Sequence, residues 1–173
     1  MGNLHLLCVI GGLVLGGTSS SLCGSSPSQE TDGCPPPFED VFGRCLYFAE
    51  LTSTWNVMRL YCQDLGGDLM KVDSADFLYD LIQLLEDKEL VTDHFWLGGN
   101  DREKEGEWKW TDGTLVKMGS PFWGISCNAD TVSREPQGGE AQNCMTFQRR
   151  FFFLFHDSDC AESHSAICEY EIK

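Results

Sequence analysis

Basic residues are scarce in this chain: 12 Lys and Arg stand against 27 Asp and Glu, a formal net charge of -15. That deficit argues against nucleic acid or an anionic membrane surface as a partner. No apolar run approaches the roughly 20 residues that a membrane-spanning helix needs; residues 6–15 are apolar or small and then give way to Gly, Thr and Ser. There is no Cys-x-x-Cys pair and no His spacing suited to a closed zinc site, which argues against structural zinc. Gly-x-Ser-x-Gly and His-Glu-x-x-His are also missing, so two common hydrolase signatures are excluded. No internal repeat is visible.

What the chain does have is cysteine: nine in 173 residues. The apolar run at 6–15 and the small residues after it fit a secretory signal peptide over 1–21, cut between Ser19 and Cys23. One departure is that residues 1–21 contain neither Lys nor Arg. In an exported, extracellular chain cysteines point to disulfides rather than redox chemistry. Residues 22–33 are polar and rich in Ser and Gly and read as a flexible leader; the compact domain is expected over 34–173, opened by Cys34 and three prolines that cannot continue a helix.

Within that domain the period of the apolar residues changes. Residues 41–48, around Cys45, suggest a first hairpin. Trp55, Met58, Cys62 and Leu65 recur three or four apart, the mark of an amphipathic helix, and Gly66 is placed to end it in a left-handed cap. A second helix is expected from Ser74, with Asp73 or Ser74 as cap and Phe77, Leu78, Leu81, Ile82 and Leu85 on its buried face. Residues 95–97 read as a core strand and 108–110 as a strand alternating in and out. Residues 112–143 hold little periodicity, and a loop of that length in a compact domain is usually functional. Residues 145–147 and 151–155 are expected to be strands joined by a turn at 148–150, the aromatic run at 151–155 being buried on both faces rather than a membrane-active patch. Trp108 and Trp110 belong to the core on this reading, while Phe122 and Trp123 are open. Two helices followed by short strands make an α+β domain.

The order of motifs carries more than any one of them. Cys34-Pro35, Cys45, the helix with Cys62, Phe95-Trp96-Leu97-Gly98-Gly99, Gly106-Glu107-Trp108-Lys109-Trp110-Thr111-Asp112-Gly113, Glu135-Pro136-Gln137, Cys144, Cys160 and Ala166-Ile167-Cys168-Glu169 follow one another. This set resembles the long-form C-type lectin domain over nearly everything after residue 33, with an overall pattern most like the secreted lectins of arthropods. The resemblance implies a disulfide-stapled fold, two helices packed on small antiparallel sheets beneath a long ligand-binding loop. It pairs Cys62 with Cys168, Cys144 with Cys160 and Cys34 with Cys45. Cys23 and Cys127 are left over, and they either pair within the chain or bridge partners into a disulfide-linked oligomer.

The resemblance also implies calcium and a glycan. In the family a Glu-Pro-Asn type loop, a carboxylate before the third core cysteine and an Asn-Asp pair surround the ion, which is shared with two sugar hydroxyls. Here Glu135, Gln137, Gln142, Glu140 and Asp157 are the candidate metal ligands, and Glu135, Gln137, His156 and Asp157 the candidate sugar contacts. Glu135, Pro136 and Asp157 match; Gln137 is one methylene longer than Asn, Gln142 stands where a carboxylate is usual with Glu140 nearby out of register, and His156 replaces an oxygen ligand with imidazole. Imidazole suits a hard ion such as calcium badly. The implied role is recognition of microbial or host glycans in innate defence, the Glu-Pro-amide order going with mannose- or glucose-type sugars; a calcium-independent protein-binding module is the alternative. His156-Asp157 also resembles the His-Asp dyad of secreted phospholipase A2, but the paired cysteines before the His and the glycine-rich calcium loop are absent, so no enzyme is expected.

Overall fold

The hairpin around Cys45 forms as expected, from β1 (Glu39–Val41) and β2 (Arg44–Phe48), with Asp40 opposite Cys45. These strands belong to a computed structural model that describes residues 33–88, 92, 94–127 and 132–172. The expected signal peptide, the leader up to residue 32 and Cys23 lie outside the described residues.

The first helix, α1 (Trp55–Asp64), buries Trp55, Met58 and Cys62 and so follows the apolar spacing. Its end shows why two glycines stand together. Gly66, at φ 91°, donates its N–H to Gln63 O (2.9 Å), and Gly67 donates to Cys62 O (3.0 Å). These are the two bonds of a helix stop that needs a left-handed residue. Gly67 has a different reason to lack a side chain: a Cβ there would lie 2.2 Å from the carbonyl oxygen of Glu169. The chain then enters β3 (Asp68–Leu69), and α2 (Ala75–Asp87) follows, its Phe77 N–H bonded to the Ser74 hydroxyl. Of the two candidate caps, Ser74 is the one used. Phe77, Leu78, Leu81 and Leu85 are buried, and Ile82 is partly so.

The later strands are β4 (His94–Asn100), β5 (Ile125–Cys127), β6 (Val132–Arg134), β7 (Cys144–Gln148), β8 (Phe155–Ser158) and β9 (Ser165–Tyr170). Seven of the strands form one sheet in the order β1-β2-β9-β4-β7-β8, with β3 also on β9, while β5 and β6 pair as a separate ribbon. β9 is antiparallel to β2 and β3 and parallel to β4. Among the described residues, three disulfides join Cys34 to Cys45, Cys62 to Cys168 and Cys144 to Cys160. Cys127 closes the β5–β6 ladder opposite Val132.

Two segments differ from the sequence reading. Residues 108–110 do alternate, Trp108 and Trp110 being buried, yet they form no ladder: Lys109 makes one isolated bridge to Asn100 and another to Leu115. Residues 151–155 are not a strand. Arg149–Phe151 is a 3-10 turn, Phe152 and Phe153 both take positive φ (55° and 52°), and only Phe155 begins β8. Two successive left-handed residues cannot continue a ladder. The run is split by destination instead: Phe152 is 74% exposed, whereas Phe153 and Phe155 are fully buried. Length and hydrophobicity match a strand, but neither reveals the φ reversal.

The long loop contributes to the core. Phe122 and Trp123 turn inward, and Phe155 meets Trp110, Phe122 and Trp123 at ring-centroid distances of 5.7 Å and Phe147 at 5.6 Å.

The staples should contribute unequally. The Cys62–Cys168 bridge spans 106 residues and Cys34–Cys45 only 11, which in the chain-entropy model correspond to about 5 and about 3 kcal/mol. Denaturant unfolding of the paired variants Cys62→Ala/Cys168→Ala and Cys34→Ala/Cys45→Ala should therefore show the first pair losing about 2 kcal/mol more. Equal losses would mean that the long bridge does not constrain the unfolded chain.

Candidate functional site

β8 carries the site out of the core. It pairs with β7 so that Phe155 faces Phe147, His156 faces Thr146 and Asp157 faces Met145. The Phe155 ring anchors this hairpin, and its backbone anchors the long loop: Phe155 donates to Phe122 O (2.8 Å) and accepts from Gly124 N–H (2.9 Å). Gly124 in turn accepts from Glu135 N–H (3.1 Å). Glu135 is thereby fixed beside His156 and Asp157, although they are more than twenty positions away in sequence. The Glu135–Pro136 peptide is cis.

Asp157 organises the turn after Pro136. Its Oδ2 accepts the backbone N–H groups of Gln137 (3.0 Å) and Gly138 (2.6 Å). Its Oδ1 is buried with no hydrogen bond. Glu135 Oε1 accepts from the Gln137 side-chain amide at 3.0 Å and lies 3.3 Å from His156 Nε2. His156 Nδ1 stands 2.5 Å from the carbonyl oxygen of Asp157. One ligand atom from each of Glu135, His156 and Asp157 falls within 4.8 Å of the others, and all three residues are buried. Burial holds the His156 pKa below its ordinary value, against the opposing pull of the Asp157 carbonyl and carboxylate.

Of the candidate ligands, Glu135, Gln137 and Asp157 come together, with His156 between the two carboxylates. Glu140 is exposed, on a single 3-10 turn at Gly139–Ala141, and is not part of the three-residue cluster. Gln142 folds its side chain over Gly138, so closely that a Cβ there would lie 2.0 Å from Oε1. Gln137 turns its amide nitrogen, not its carbonyl oxygen, toward Glu135.

Calcium takes six to eight oxygen ligands. Here one Asp157 oxygen is already committed to two backbone N–H groups, Gln137 presents a donor, and His156 offers nitrogen. The buried bare oxygen of Asp157 would be satisfied by a cation, but the donor set as a whole fits calcium poorly.

Sequence reasoning missed two features. Phe151 stacks on the His156 imidazole (centroids 4.5 Å, planes 17° apart), with the Arg150 guanidinium 4.6 Å above the Phe151 ring. Only the αL turn brings Phe151 there, and no periodicity signals it. The second is Asp101, 3% exposed, whose Oδ2 takes the Gly106 N–H (2.9 Å) while Oδ1 has no hydrogen bond. Burial raises its pKa, and the Asp157 charge adds to the effect. An Asp buried near a second carboxylate gives no local sequence signal.

The Lectin C-type domain family profile matches residues 51–170. The human protein C-type lectin domain family 17, member A is 28% identical over 136 residues, 79% of this chain, and the chain spans about a third (32%) of that protein's length. Among solved structures, the mouse scavenger receptor C-type lectin carbohydrate-recognition domain superposes with a TM-score of 0.64 at 25% identity, covering 82% of this chain and all (100%) of the other. A calcium-independent type II antifreeze protein superposes with a TM-score of 0.61, also at 25% identity, over 79% of this chain and 92% of its own. A profile match over most of the chain, joined to the same two-helix, disulfide-stapled fold, places this protein in the C-type lectin domain family.

Proposed function

We propose that the protein is a secreted glycan-binding lectin, of the soluble arthropod type, that serves pattern recognition by engaging mannose- or glucose-type sugars at the Glu135–Pro136–Gln137 loop. The observation that carries this reading is the convergence of Glu135, Gln137 and Asp157 on one turn. Carboxylate oxygens there accept hydrogen bonds from sugar hydroxyls, and the Gln137 amide donates to the neighbouring one. The order acceptor, Pro, donor suits a pair of equatorial hydroxyls. Similarity to a carbohydrate-recognition domain supports the same reading. On this reading the site is one for binding rather than catalysis, and the Nδ1 contact of His156 with a backbone carbonyl is in keeping with that. Microbial surface polysaccharides are the multivalent ligands that such a site requires. Its single-sugar affinity is expected near the millimolar range, about 4 kcal/mol, and useful binding comes from many contacts at once. Linking of chains through Cys23 or Cys127 would supply that valency.

A second reading is a protein-binding module that uses the same face without calcium or sugar. It is favoured by the poor calcium donor set, and by a similar fold in a calcium-independent antifreeze protein.

A glycan competition panel separates the two. Mannosides and glucosides should compete better than galactosides, and Glu135→Gln should weaken mannoside binding by about tenfold, the loss of one charge-assisted hydrogen bond of about 1.4 kcal/mol. Stronger competition by galactosides would refute the sugar preference, and no competition by any sugar would favour the second reading.

Calcium affinity should be weaker than about 1 mM, the lower end for extracellular calcium modules. The double variant His156→Asn/Gln142→Glu returns an oxygen and a charge and should tighten calcium by at least about tenfold in a calorimetric titration. No change in affinity would show that calcium, where it binds, sits elsewhere.

A further inference from the structure

A carbonyl oxygen only accepts, so the 2.5 Å contact from His156 Nδ1 to Asp157 O fixes a hydrogen on Nδ1. In the neutral ring the lone pair then sits on Nε2, and Nε2 faces the Glu135 carboxylate oxygen at 3.3 Å. The Gln137 amide hydrogen relieves part of the charge on that oxygen, and a proton or a metal cation between Nε2 and Oε1 would turn the remaining contact from repulsive to attractive. Asp157 adds a buried acceptor on the other side, its Oδ1 standing 4.0 Å from His156 Nδ1. It is 1% exposed, and its Oδ1 has no hydrogen bond.

The chemistry of the three donors selects the cation. One imidazole nitrogen and two carboxylates suit a borderline dication, and zinc in particular, better than a hard ion. Ligands about 2.0–2.1 Å from a tetrahedral zinc lie about 3.3–3.4 Å apart, which is the Nε2–Oε1 spacing observed; Asp157 stands farther off, the three ligand atoms lying within 4.8 Å of one another, so its carboxylate would move inward to complete the site. The Nδ1–H bond to a backbone carbonyl is the outer contact that orients a metal-binding histidine. Charge agrees as well. Two carboxylates and a neutral imidazole balance a dication, whereas an imidazolium alone would leave a net negative charge in the pocket.

We propose that Glu135, His156 and Asp157 form an open zinc site, with three protein ligands and one position left for water or a ligand hydroxyl. The closed zinc pattern is absent from the sequence, but an open three-ligand site needs no Cys spacing. The proposal goes beyond glycan binding and does not depend on it, because the metal is measured without sugar.

The test uses the full chain, stripped with a chelator, dialysed, and titrated with zinc chloride in the absence of sugar. One zinc per chain should bind, with calcium at least about 100-fold weaker. Cobalt(II) should give the intense visible bands of a four-coordinate ion. His156→Asn should weaken zinc at least about tenfold, while His164→Gln, at the separate His164–Glu162 pair, should leave it unchanged. Comparison of chelator-treated melting temperatures separates a folding defect from a lost ligand, and the cobalt spectrum of the unmutated protein needs no variant. Absence of zinc binding would overturn the proposal, as would sensitivity to His164 but not His156. So would nitrogen NMR showing His156 protonated at both ring nitrogens at neutral pH with zinc present, since the imidazolium would then be the cation of the site.

Discussion

Pairing along β9 is the constraint on which the rest of the structure depends. Its one edge takes β2; the other takes β3 and then β4. Cys168, in the middle of the strand, is bonded to Cys62 of α1. The approach of α1 is so close that the turn after it has no room for a side chain at Gly67. Arg44 adds an ionic tie, its guanidinium meeting the Glu169 carboxylate and the Lys71 carbonyl while lying 4.2 Å from the Phe77 ring. One strand therefore holds α1 and the central sheet, with α2 reached through Arg44 of β2, and β4 hands the order on to β7 and β8, where the site begins.

From there, control passes to burial of a single aromatic side chain. Phe155 sits among four rings, and its backbone groups bond the first part of the long loop. The next two residues along the strand are His156 and Asp157. Site geometry is thus a continuation of core packing, in keeping with interiors that are close-packed and transmit strain. The same arrangement explains why ionisable groups can be buried here at all: Asp157 is compensated by two backbone N–H groups and Glu135 by the Gln137 amide.

Features set by local physics were legible in the sequence. Gly66 announced the end of α1 and Ser74 the start of α2, because a left-handed residue and an N-cap hydroxyl each have few substitutes. The α+β class and the three disulfides were legible through the order of motifs. Residues 151–155 were not, because hydrophobicity records that a side chain is apolar and not where a φ reversal sends it; Phe151, Phe152 and Phe153 have three different surroundings. Glu135 and Asp157 could be named as partners, but the contacts of His156 could not. Whether that ring replaces a ligand or becomes one depends on the direction of a single backbone carbonyl.

The β5–β6 ribbon is joined to β8 at its base, through Gly124 and Glu135, and its outward side chains Ile125 and Val132 are largely exposed. The base bonds set where the ribbon leaves the pocket, next to Glu135. Ile125 and Val132 thus present an apolar surface beside the recognition chemistry, and exposed positions of that kind are where selection, or an engineer, can vary which larger partner is accepted.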